Sequence, residues 1–174
     1  MSAPEGLVVV YTGDGKGKTT AALGLAFRAL GHGLPVAVVQ FIKGRWKTGE
    51  RLLAAGLPRL TFLCMGEGFT WEGDDPGVHA AAARAAWSRA HALLAAGEHR
   101  LVVLDELTHV INHGFVSEQD VLSALAARPS GVTAVVTGRG ASPALLAAAD
   151  LATEMRSLRH PFEHGVRALR GIDF

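Results

Sequence analysis

"TGDGKGKTT" (12–20) follows the apolar run "LVVVYT" (7–12) and opens the stretch "KTTAALGLAFRAL" (18–30). The run before it reads as a buried strand. The stretch after it reads as a helix that Gly31 and Gly33 close. Between them, Gly13, Gly15 and Gly17 let the backbone curl so that its amides point inward at an anion. The helix N-terminus adds partial positive charge. Lys18 brings a full charge to a phosphate, and Thr19 has the hydroxyl expected on Mg2+. The stretch fits the phosphate-loop pattern G-x-x-x-x-G-K-[ST] except at its first position, which is Thr12. The candidate nucleotide-binding residues are therefore Thr12, Gly13, Asp14, Gly15, Lys16, Gly17, Lys18, Thr19 and Thr20.

Working outward, "VAVVQF" (36–41), "RLTFLCM" (59–65), "LVVLDE" (101–106), "VTAVVTG" (132–138) and "LATEM" (151–155) read as further strands, the second of them the weakest. "VHAAAARAAWSRAHALLAAG" (78–97), "SEQDVLSALAAR" (117–128) and "SPALLAAA" (142–149) read as helices. Ser117 with Asp120 three residues on is close to a capping box. Ser142 suits an N-cap, with Pro143 at the first helical position. Continuous apolar strands with helices between them predict an α/β fold: a mostly parallel sheet covered on both faces. With the phosphate loop, this is a P-loop NTPase-like (RecA-like) fold, expected as one domain over 1–174. Ligands in such sheets bind beyond the C-terminal ends of the strands. The loops at 12–17, 43–49, 65–76, 105–106 and 138–141 each follow a strand and are expected on one rim.

The 174 residues suffice for a proper core, and 49% of them are hydrophobic. A formal charge of +1 and the lack of any long basic run argue against nucleic acid or an anionic membrane as partner. Cys64 is the only cysteine, so no disulfide forms within the chain, which suits a reducing cytoplasm. No signal peptide and no run long enough for a membrane span is legible.

"LVVLDE" supplies a second half to the site. Asp105 and Glu106 emerge at the strand's end, where a metal-bound nucleotide would sit. Arg139, in the strand-end turn "TGRG", is placed to clamp a phosphate. Gln40 and Lys43 in "QFIKG" are expected near the nucleotide or a second substrate. The only asparagine, Asn112, precedes His113, so there is no guanine-recognition Asn-Lys-x-Asp. No arginine-rich lid of the nucleotide-kinase type follows residue 105. His109 and His113 share helical spacing, but without the glutamate of a zinc-protease motif they read as hydrogen-bonded or solvated. Cys64 and Trp87 read as packing, and Trp46 remains ambiguous. "GEGFTWEGDDP" (66–76) is loop-like, yet carries Phe69 and Trp71.

Taken in order, "TGDGKGKTTAALGLAFRALGHG", "VVQFIKG", "GEGFTW", "LVVLDEL", "VTGRGA", "ADLATEM", "HPF" and "GIDF" closely resemble the P-loop class of corrinoid adenosyltransferases, from about residue 6 to the last residue. The family's modified loop also has Thr12's departure from glycine. Some members carry an N-terminal extension that helps cover the site. Here the first strand begins almost at once, so such a lid is expected to be absent or to come from elsewhere.

The resemblance implies transfer of the 5′-deoxyadenosyl group of ATP to Co(I) of a corrinoid, with triphosphate leaving. It implies that ATP lies reversed relative to ordinary P-loop enzymes. Lys18, Arg139, Phe69 and Trp71 become the catalytic candidates, and Thr19, Asp105 and Glu106 the holders of Mg2+. Phe69 and Trp71 are implied to occupy the lower face of the corrin ring and exclude its axial base, which eases reduction of Co(II). Each aromatic buries roughly 150–250 Å², or about 4–6 kcal/mol as an upper value, enough to oppose a weak axial bond. A reduced flavoprotein donor and a homodimer are further expectations. Two other classes stay open on the residues alone: a P-loop ATPase or nucleoside kinase cleaving the β–γ bond, and a non-catalytic ATP-binding regulatory module.

Overall fold

A computed structural model describes residues 6–42, 48–66, 76–160 and 165–173. Lys43, Trp46, Phe69 and Trp71 lie outside the described residues. The chain order is β1 (Val8–Thr12), α1 (Lys18–Gly31), β2 (Val36–Gln40), α2 (Gly49–Ala54), β3 (Leu60–Cys64), α3 (Pro76–Ala96), β4 (Leu101–Asp105), α4 (Leu107–Asn112), α5 (Glu118–Ala127), β5 (Thr133–Thr137), α6 (Pro143–Ala147) and β6 (Leu151–Glu154). The strands form one six-stranded sheet in the order β3-β2-β4-β5-β1-β6. Every neighbouring pair is parallel. The α/β architecture read from the apolar runs is therefore the one found.

Alternation along the strands divides the core in two. Val8 and Val10 of β1, Val39 of β2, Val102 and Leu104 of β4 and Val136 of β5 pack with residues of α3, α5 and α6. Val9, Val38, Val103 and Val135 face the other way, toward Ala22 and Ala26 of α1. Successive strand side chains point to opposite faces, so an unbroken apolar run is what a strand buried on both faces requires. β3 at one edge is only half-buried and β6 at the other is exposed, in keeping with the weak reading of 59–65.

Caps set several boundaries. Ser142 Oγ accepts the Leu145 amide at 3.0 Å, with Pro143 in the first turn. Ser117 Oγ accepts the Asp120 amide at 3.4 Å. Two short helices, α2 and α4, were not legible in the sequence. Each is six residues long, too short for a helical period to declare itself. α4 follows β4 with only Glu106 between, and the apolar run of "LVVLDEL" hides the change of period.

The P-loop packs against the chain leaving β6. The Gly15 amide donates to Met155 O at 2.7 Å, and the Met155 amide to Thr12 O at 2.8 Å. Gly13 has φ 98°, and a Cβ there would stand 2.4 Å from Met155 O. Only glycine fits both that conformation and that approach.

Candidate active site

The ends of β1, β4 and β5 bring the phosphate loop, the Asp105–Glu106 pair and the Gly138–Ala141 turn to one rim. A cavity of ≈ 530 Å³ lies there. The loop and first turn of α1, from Asp14 through Thr20, line it together with Glu106 and Arg139. Those predicted residues are therefore brought together. Sequence reasoning missed the rest of the lining, formed by Leu23 and Phe27 of α1, Gly49, Glu50 and Leu53 of α2, and Gly171, Ile172 and Asp173 near the C-terminus. For the last three the only signal was the motif "GIDF", which had no assigned place.

Lys18 is 6% exposed. Its ammonium donates to Gly13 O and Gly15 O, both at 2.7 Å, so it rests on the loop's own carbonyls. Burial pushes its pKa below the usual lysine value, Glu106 pulls it back up, and Arg139 pushes it down again. Two cations thus approach one cavity, and an anion between them relieves the repulsion.

Asp105 is 1% exposed and is the hub of the site. Its Oδ1 accepts the Thr19 hydroxyl at 2.8 Å and the Thr137 hydroxyl at 2.8 Å. Its Oδ2 accepts from Gln40 Nε2 at 3.0 Å. Gln40 Oε1 in turn accepts from the Cys64 thiol at 3.1 Å. Gln40, expected at the nucleotide, is thus found buried behind Asp105 and does not line the cavity. A buried carboxylate needs its lone pairs satisfied, and these donors meet that need. Asp105 fixes Thr19 from behind, and Glu106 faces the cavity.

Glu106 has φ 63° and ψ 28°, in the left-handed region, and caps α4. Its amide donates to Thr137 Oγ1 at 2.9 Å, so the same hydroxyl serves both acids. A non-glycine residue held this way is strained, and such strain clusters at functional sites. Thr12 also acquires a role. Its hydroxyl accepts the Ala141 amide at 3.2 Å, tying the phosphate loop to the turn that carries Arg139. Glycine at that position has no such oxygen.

Mg2+ is implied by the resemblance, and the residues present fit it. The Thr19 hydroxyl and the Glu106 carboxylate give hard oxygen donors on the phosphate cavity, a usual protein share for Mg2+ on a nucleotide. Asp105, also expected to hold the metal, instead accepts from Thr19, Thr137 and Gln40 and does not line the cavity. Among the described residues no group of three or more His, Cys, Asp or Glu side chains forms a separate metal cage. The rings of His109 and His113 lie tilted against each other at 53°, with centroids 4.3 Å apart. Burial, then His113 and Arg139, push the His109 pKa below the usual imidazole value. No described helix is long and apolar enough to cross a membrane.

Comparison with known proteins adds to this geometry. The family model described as ATP:corrinoid adenosyltransferase BtuR/CobO/CobP matches residues 4–174. A "Corrinoid adenosyltransferase" of Pseudomonas aeruginosa is 46% identical over 170 residues, covering 97% of this chain and 84% of its own length. The "Corrinoid adenosyltransferase CobA" of Salmonella typhimurium is 46% identical over 97% of this chain and 86% of its own. A "Corrinoid adenosyltransferase" from a Sinorhizobium species is 42% identical, over 98% of this chain and 81% of its own. With a family match running from residue 4 to the last residue, the chain belongs to the ATP:corrinoid adenosyltransferase family.

Proposed function

We propose that this chain transfers the 5′-deoxyadenosyl group of ATP to the Co(I) of a corrinoid and releases triphosphate, in the making or salvage of adenosylcobalamin. The observation that carries the reading is a phosphate cavity in which Lys18 and Arg139 converge, within a chain that matches the family along almost its whole length.

Cobalt(I) is the nucleophile and C5′ of the ribose is attacked. The Co–C bond forms as the C5′–O bond breaks, and the electron pair leaves on the α-phosphate oxygen. No proton has to move, so the site needs no general base. What it must supply is alignment of C5′ with cobalt and charge stabilisation on the departing oxygens. The loop amides, the N-terminus of α1, Lys18 and Arg139 provide the second. Lys18 leaves Gly13 O and Gly15 O for the phosphate oxygens, a short movement because all line one loop. Mg2+, when bound, supplies charge neutralisation on the triphosphate. Thr19 and Glu106 would hold it or its waters, with Asp105 orienting Thr19 and Gln40 orienting Asp105.

Lys43, Phe69 and Trp71 complete the reading outside the described residues. Lys43 is assigned to the nucleotide or corrinoid, and the two aromatics to the lower face of the ring, where they displace the axial base. A reduced flavoprotein as electron donor, a homodimer, a cytoplasmic setting and one domain over 1–174 belong to the same proposal.

The test is incubation with ATP, Mg2+ and chemically reduced corrinoid. The expected result is the visible spectrum of a light-sensitive cobalt–carbon product together with intact triphosphate. ADP in place of triphosphate, with no spectral change, would replace this reading with a β–γ-cleaving ATPase or kinase.

A further inference from the structure

Arg139 stands on a turn that is held from three sides. Thr108 Oγ1 of α4 donates to Arg139 O at 2.7 Å. Asn112 Nδ2, one helical turn further on, donates to Arg139 O and Gly140 O, each at 3.2 Å. The Gly138 amide donates to Tyr11 O at 3.2 Å, and Thr12 Oγ1 accepts the Ala141 amide at 3.2 Å. The fit is tight. Gly138 has φ 137°, and a Cβ there would stand 2.0 Å from Thr108 Oγ1. Thr108 is 1% exposed, whereas Arg139 is exposed and lines the cavity. The guanidinium enters none of the ion pairs found between described residues. Its backbone is therefore clamped while its charged end is left for a ligand.

We infer that Thr108 and Asn112 are positioning residues for Arg139, aiming its guanidinium at the leaving triphosphate through the backbone of the Gly138–Gly140 turn. The inference rests on the phosphate role assigned to Arg139 above. Its physical basis is that an arginine side chain has four rotatable bonds and converges on a phosphate only if its Cα is held. A displacement of the turn by an ångström moves the bidentate fork off its target, with a cost of up to about 100-fold in rate. The spacing follows from the sequence. Residues 108 and 112 are four apart and lie on one face of α4, so both reach the same turn. Glu106 immediately precedes α4, so the helix couples the proposed metal carboxylate to the turn that carries the arginine.

The experiment is steady-state kinetics with chemically generated Co(I) corrinoid, plus calorimetric binding of inorganic triphosphate. The variants are Thr108→Val, Thr108→Ser, Asn112→Ala, Arg139→Ala and the double Thr108→Val/Arg139→Ala. Thr108→Val is expected to lower kcat by about 10- to 100-fold and to weaken triphosphate binding, with the KM for corrinoid within about twofold. Thr108→Ser keeps the donor and restores most of the rate. Asn112→Ala shows the same pattern more weakly, and its exposed side chain makes folding a lesser concern should Thr108→Val be unstable. In the Arg139→Ala background, Thr108→Val adds nothing, because there is no guanidinium left to aim. If Thr108→Val costs the same with and without Arg139, or if both α4 variants turn over normally while Arg139→Ala is crippled, the positioning role is overturned. If Arg139→Ala itself behaves as wild type, the phosphate role of Arg139 fails first and takes the inference with it.

Discussion

Lys16 of the phosphate loop is ion-paired with Asp173, 157 positions further along the chain. Asp173 also accepts the Leu169 amide at 2.8 Å, and both partners line the cavity. A carboxylate thus sits on a loop cation beside the place proposed for a triphosphate. Lys16 holds the Asp173 carboxyl below its usual pKa, so the pair is ionised at neutral pH and gives way only as pH falls through that lowered value. Asp173→Asn removes an anion from an anion site. The expected outcome is a KM for ATP about two- to fivefold lower at low salt, with the difference shrinking as salt is added, because exposed charges are screened. The melting temperature should hardly move. A raised KM in the variant would mean that Asp173 helps to bind ATP and does not compete with it.

Lys18→Ala should lower adenosylation by about two to three powers of ten, through lost charge stabilisation of the leaving group. The wild type should also lose affinity for ATP on the alkaline side before an ordinary lysine would. Burial lowers its pKa, so it sheds its proton at a lower pH and the charge that draws the phosphate is gone. Isothermal titration of ATP across pH 7 to about 10, compared with the variant, checks this. A flat profile in the wild type would place the decisive cation elsewhere.

Thr19→Ala and Asp105→Ala act on the same hydrogen bond and should separate in kind. Thr19→Ala raises the Mg2+ requirement while leaving unfolding free energy nearly intact. Asp105→Ala also removes the acceptor of Gln40 and Thr137, both buried. Each donor left unpaired costs about 1–3 kcal/mol, so this variant is destabilised as well. Urea unfolding and a metal titration read the two effects independently. Identical losses in both assays for both variants would contradict the division of labour.

Glu106→Gly is a test of stored strain. The left-handed conformation at φ 63° costs a non-glycine residue about 1–2 kcal/mol, which glycine relieves, less the entropy glycine loses on folding. The variant should melt at the wild-type temperature or a few degrees higher, yet need far more Mg2+. Glu106→Gln, which keeps the strain, should lose activity without that compensation. A marked fall in the melting temperature of Glu106→Gly would show that the carboxylate is held for stability.

Phe69 and Trp71 should matter for one half of the reaction only. Their proposed task ends once cobalt is Co(I), which no longer holds the axial base. Phe69→Ala and Trp71→Ala are expected to be severely impaired from Co(II) corrinoid with a mild flavin reductant. They should be close to normal when Co(I) is made chemically beforehand. Spectra of Co(II) corrinoid with ATP-loaded protein give a second readout, since the four-coordinate species should fade in the variants. Equal losses in both assays, with that species intact, would refute the assignment.

Much of this site was present in local chemistry. Glycines at 13, 15 and 17 before a lysine and a hydroxyl, between an apolar strand and a helix, require no knowledge of the rest of the chain. The four inner strands declared themselves because a strand buried on both faces must be apolar throughout, whereas the edge strands β3 and β6, half-buried and exposed, gave weaker runs. Asp105, Glu106 and Arg139 were legible as polar residues at the ends of such runs. What sequence alone left undecided depends on pairs far apart in the chain. That Gln40 faces Asp105 and not a ligand follows from β2 lying beside β4, with Gln40 in register with Asp105. That Thr12 holds Ala141 follows from β1 lying beside β5. The short helices α2 and α4 and the Gly171–Asp173 wall carry too few residues to show a period, and take their places only by packing on elements already formed. Periodicity and motif chemistry are properties of neighbours along the chain, whereas the order of parallel strands is settled by how crossover helices pack. That order determines which side chains meet at the rim.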